Sequence, residues 1–113
     1  MLRWPLRPLG LTVLFWAATA APALAADSAS DSASIVVAHD FAFAPKSLTV
    51  QAGSTVTWTN KDEEPHTVVN DAGLFRSGAL DTNQSFSFRF DKPGTYRFAC
   101  SIHPQMVGTI IVQ

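Results

Sequence analysis

The stretch "TYRFACSIHPQMVGTIIVQ", residues 95–113, closes the chain. Its first part alternates with a period of two, so Tyr96, Phe98 and Cys100 share one face of a strand. "VGTIIVQ" reads as a second strand. Between them, "CSIHPQM" places a thiol, an imidazole and a thioether three residues apart. Strand, short Pro-containing loop, strand is an all-β signature.

The same grammar extends upstream. "SFSFRF" turns Phe86, Phe88 and Phe90 inward and Ser87 and Arg89 outward, and "DKPG" after it is a β-turn. "TVTWTN" alternates strictly, with Val56 and Trp58 on one face. "SIVVA" reads as a strand, "FAFAPKSLTVQ" as an extended segment bent at Pro45, and "HTVVN" as a short strand starting at His66. "KDEEP" is a polar loop, and Gly73 and Gly78 break the longer connection "DAGLFRSGALDTNQ". About seven to eight short strands with turns between them predict a Greek-key antiparallel β-sandwich. The aromatic residues have a sufficient role as its core.

The N-terminus reads differently. "MLRWPLR" is basic, an apolar run follows from Leu9 to Ala21, and Ala23 and Ala25 supply an A-x-A cut. Residues 1–25 are therefore expected to be a secretory signal peptide, too short in its apolar part to span a bilayer. "ADSASDSAS", residues 26–34, is small and polar, a flexible tether before a domain at 35–113. Cutting after Ala25 removes Arg3 and Arg7, leaving six of the eight basic residues against nine acidic ones, a net charge near −3. No basic stripe is present, so nucleic acid is not an expected partner. We expect a soluble monomer exported to the periplasm.

A lone thiol in an oxidising compartment is either buried or occupied. Beyond the leader, Cys100 and Met106 are the only sulfur residues, and they flank His103. Thiolate, imidazole and thioether form a soft set that favours copper over magnesium, calcium or manganese. A fourth donor has two candidates, His66 and His39. His66 is preferred, because it sits at a loop–strand junction of the kind that lines one end of a sandwich. His39, beside Asp40 near an edge strand, has an ordinary surface reading. One Cys, two His and a weak axial Met are the donors of a blue-copper electron-transfer site.

The C-x-x-H-x-x-M loop resembles the short ligand loop of the amicyanin-like cupredoxins. "FAFAPKSLTVQAGSTVTWTNKDEEPHTV" and "GTYRFACSIHPQMVGTIIV" are similar to the front and back halves of amicyanins and plastocyanins, so the likeness runs from about Ile35 to Gln113. The resemblance implies one copper ion cycling between Cu(I) and Cu(II), with His66, Cys100 and His103 equatorial and Met106 axial. Two departures stand out. Ile102 replaces a proline, so its N–H can reach the Cys100 sulfur, and Thr67 replaces an asparagine, with a hydroxyl that can reach Ser101. Four protein ligands leave no open position for substrate, so an enzyme is not expected. The expected role is a single-electron carrier between transient redox partners such as a dehydrogenase, a c-type cytochrome or a reductase. A copper carrier or sequestering protein is the alternative.

Overall fold

Strand β4 (Ser54–Asn60) shows how the chain divides inside from outside. Val56 and Trp58 turn inward and are buried, while Thr57 and Thr59 face the other way. Its antiparallel partner β6 (Ser85–Phe90) sets Phe88 opposite Val56 and Phe86 opposite Trp58. On the outer face the hydroxyls of Thr57 and Ser87 lie 2.7 Å apart, and those of Thr59 and Ser85 2.8 Å apart. Aromatic contact inside and hydroxyl pairing outside fix a single register, since a one-residue slip would exchange the two faces.

The computed structural model describes residues 2–6, 8–19 and 34–113, and its regular structure is entirely β. The expected cleavage point and the tether from residue 26 lie outside the described residues, Ser34 excepted. Ser34 is buried and its carbonyl accepts the Thr57 N–H, so the sandwich includes it. Among the described residues, no helix is long and apolar enough to cross a membrane. The remaining strands are β1 (Ile35–His39), β2 (Ala42–Ala44), β3 (Ser47–Val50), β5 (Val69–Asn70), β7 (Gly94–Ala99) and β8 (Val107–Val112).

One sheet has the order β2-β1-β4-β6 and the other β3-β8-β7-β5. Four strand pairs are antiparallel, as expected, but β1–β4 and β3–β8 are parallel. The parallel pairs arise because β2, the bend at Pro45 and β3 carry the chain from one sheet to the other. The sheets meet through Trp58, whose ring is 5.4 Å from Phe98 and edge-on to it, while Phe43 packs 4.9 Å from Phe98. Such edge-to-face pairs contribute beyond their area.

Gly108 on β8 stands opposite Phe98 on β7. A Cβ there would collide with the edge of the Phe98 ring and press against the Lys46 carbonyl. Gly108→Ala should therefore lose about 2 kcal/mol through overpacking, read as a lower denaturation midpoint.

One turn departs from the expected extended segment. β1 and β2 form a hairpin, with His39 paired to Ala42 and only Asp40 and Phe41 between. Their φ angles, 51° and 58°, are both left-handed, the pattern of a type I′ turn. Asp-Gly and Asn-Gly suit that turn. Phenylalanine in the left-handed region carries strain on the order of 1–3 kcal/mol, and persists only where the surroundings impose it.

Candidate metal centre

Cys100 follows directly on β7, and the loop from Cys100 to Met106 is closed by its own backbone. The Cys100 N–H donates to the Met106 carbonyl at 3.0 Å, and the Met106 N–H to the His103 carbonyl at 2.9 Å. This tight return brings the three-residue spacings round a bend. Cys100 and Met106 are each 1% exposed, and His103 is half-buried.

His66 comes from the other side. The expected strand beginning there is shorter, since β5 starts at Val69. His66 is instead held by a two-bond bridge to Leu80, with N···O distances of 3.1 and 2.7 Å. Its side chain is buried. His39, by contrast, lies at the surface, its ring nitrogens 3.4 Å from Asp40 and 3.7 Å from Asp62.

Three of the four donors converge. Cys100 Sγ is 3.9 Å from His66 Nδ1 and 3.7 Å from His103 Nδ1, and the two Nδ1 atoms are 3.2 Å apart. Nitrogen at about 2.0 Å and sulfur at about 2.3 Å from one ion would stand about 3.3–3.8 Å from each other. The triangle has the size of a shared metal. Met106, buried, ends the same loop.

The sulfur is held as an anion acceptor. Burial pushes the Cys100 thiol up, but the Thr67 N–H, the His103 ring and the N–H groups of Ile102 and His103 outweigh it and bring the pKa down to about 7. The Thr67 N–H lies 3.4 Å from the sulfur. The expected Thr67–Ser101 link is present: the hydroxyls are 2.8 Å apart, and the Ser101 N–H donates to Thr67 Oγ1 at 2.8 Å. The two donor-bearing loops are thereby tied together.

Asp62 and then Phe41 escaped the sequence reading. Asp62 Oδ2 is 2.7 Å from His66 Nε2, which sets Nε2 as the protonated nitrogen and leaves a lone pair on Nδ1, facing Cys100. The same carboxylate accepts the N–H groups of Asp40 (2.7 Å) and Phe41 (3.1 Å). Burial raises the Asp62 carboxyl, but these donors more than offset it and hold it below the usual carboxylate value. Buried Asn60 shapes the loop, accepting the Asp62 N–H and donating to the carbonyls of Glu64 and Leu80. Phe41 packs edge-on against both imidazoles. An Asp four residues before a candidate His was the available signal for the first. The second had none, because Phe is a poor turn residue.

Comparison with known proteins identifies the family. The model of the cupredoxin-like domain matches residues 9–112. Amicyanin of Paracoccus denitrificans is 34% identical over 94 residues, covering 79% of this chain and 72% of its own. Amicyanin-alpha of Methylorubrum extorquens is 37% identical over 81 residues, 63% of this chain, which spans 64% of that relative's length. Among solved structures, the Cu(I) form of a point mutant of amicyanin has a TM-score of 0.69 at 32% identity, covering 74% of this chain and 84% of that one. A purple cupredoxin from Nitrosopumilus maritimus has a TM-score of 0.66 at 31% identity, covering 71% and 99%. With a family model spanning nearly the whole sequence and the fold shared at this level of identity, the chain belongs to the cupredoxins.

Proposed function

We propose that this protein is a blue copper electron carrier, with His66, Cys100 and His103 as the strong ligands and Met106 as the weak axial one. The observation that carries this reading is the convergence of Cys100 Sγ and two imidazole Nδ1 atoms within 3.9 Å. The donors fit the ion: a low-pKa thiol, two imidazoles and a thioether suit copper and can serve both of its oxidation states. When bound, copper supplies a one-electron couple.

The chain's own residues do the rest. The Asp62 carboxylate orients His66, the Thr67 N–H steadies the sulfur, and the Thr67–Ser101 link keeps the two loops from separating. A site whose geometry is held by the scaffold changes little on gaining or losing an electron. His103, half-buried, offers the exit, flanked by Ile102 at 51% exposure and Phe41 at 45%. This small apolar surface suits brief docking of a redox protein such as a dehydrogenase, a c-type cytochrome or a reductase. The leader pattern supports work in the periplasm. Burial of His66 and Cys100 opposes the alternative of an open, readily exchanging copper carrier.

Loading with Cu(II) tests the proposal. An intense visible thiolate band and reversible one-electron voltammetry are expected, whereas a pale protein that yields its metal at once to a chelator would overturn it. The potential itself should respond to residue 102. Ile102 contributes an N–H toward Cys100, which stabilises the electron-rich thiolate. Ile102→Pro removes that donor and should lower the potential on the order of 40 mV, one hydrogen bond of about 1 kcal/mol carried by one electron.

A further inference from the structure

The strained turn between β1 and β2 sits where its strain can be useful. Phe41 occupies a left-handed position better suited to glycine and, although 45% exposed, sets its ring against two imidazoles. It lies 5.1 Å from the His103 ring at 80° and 5.5 Å from the His66 ring at 83°. The two imidazoles are themselves 5.0 Å apart at 72°. Three rings thus meet mutually edge-on, one contributed by each of three separate segments.

The turn is also fastened to the site. Asp62 Oδ2 accepts the Phe41 N–H and contacts His66 Nε2, while Oδ1 accepts the Asp40 N–H. One carboxylate therefore fixes an imidazole and the backbone of the residue whose ring covers it. His103 has no such carboxylate beyond its ring among the described contacts. On its flank stands Phe41.

We propose that Phe41 is a positioning residue that restrains the His103 ring in its inward rotamer and bridges it to His66, so that it governs how firmly the metal is kept. This rests on the copper-site reading above. The positively angled backbone is the means by which the fold delivers an aromatic edge to two imidazoles at once. Removing the ring leaves His66 anchored by Asp62 but frees His103 to swing outward.

Phe41→Gly and Phe41→Asn test this, because both residues accept a left-handed backbone and preserve the turn. In the metal-free protein, the carbon-bound ring protons of His103 should move toward solvent-exposed chemical shifts, with the strand resonances unchanged. In the copper-loaded, reduced protein, transfer of metal to a Cu(I)-specific chelator should accelerate about tenfold, the equivalent of two lost edge contacts. Phe41→Tyr, which keeps the ring, should restore both readings. Unchanged His103 shifts and unchanged transfer rates in the Gly and Asn variants would overturn the proposal. So would a changed shift with an unchanged rate, since the ring would then touch His103 without restraining it. If the parent protein takes up no copper, the copper reading fails, and the metal-free shifts alone decide whether Phe41 positions His103.

Discussion

Replacing Cys100 by serine is expected to abolish the intense visible band of the copper-loaded protein completely. That colour requires thiolate-to-copper charge transfer, and Cys100 is the only cysteine in the chain. No neighbouring sulfur can substitute in kind, because a thioether carries no negative charge and binds copper weakly. The fold should survive. Serine is close in volume, and the Thr67 N–H that faces the sulfur at 3.4 Å can donate to a hydroxyl. The metal-free variant should therefore unfold within about 1 kcal/mol of its parent. Absorption spectra and urea titrations on the same samples separate a lost ligand from a lost fold. A retained blue band in the variant would remove Cys100 from the site.

The largest stability effect is expected at Asp62. Truncation to alanine leaves the Asp40 and Phe41 N–H groups and His66 Nε2 without their acceptor. Burial makes the His66 loss expensive, while the turn residues, being exposed, recover part of theirs from water. The net cost should be about 3 kcal/mol, since an unsatisfied buried donor costs about 1–3 kcal/mol. For a domain of this size the melting midpoint would fall by about 15 °C. Asp62→Asn keeps one acceptor oxygen and should cost less. The sign of the pH dependence follows from the lowered carboxyl pKa. A carboxylate whose folded pKa lies below its unfolded value, about 3.9, stabilises fully above that value and loses the contribution as pH falls through the folded one. The metal-free protein should accordingly weaken in strong acid, and Asp62→Ala should flatten that part of its stability profile. A midpoint lowered by only a degree or two would show that water replaces the carboxylate.

The sandwich was legible because its long strands are regular. "TVTWTN" and "SFSFRF" alternate without interruption, and β4 and β6 carry the expected aromatic inner face. The convergence of Cys100 and His103 with His66 was legible because the first two are close in sequence and His66 opens a loop–strand junction. What stayed hidden depends on contacts between distant segments. The β1–β2 hairpin was unreadable because Phe41 stands where glycine announces such a turn. Asp62, one of several acidic residues in "KDEEP", gained its role only through Asn60, which accepts its N–H and shapes the loop. The parallel pairing of β1 with β4 leaves no periodic trace, since alternation fixes faces and not neighbours.

The position of β8 has a consequence for assembly order. It is hydrogen-bonded on both sides, to β3 and to β7, and it begins immediately after Met106. Without residues 100–112, the chain would keep only His66 of the four candidate donors and would leave an open seam in its second sheet. On the proposed reading, the site is complete only once β8 has slotted between β3 and β7.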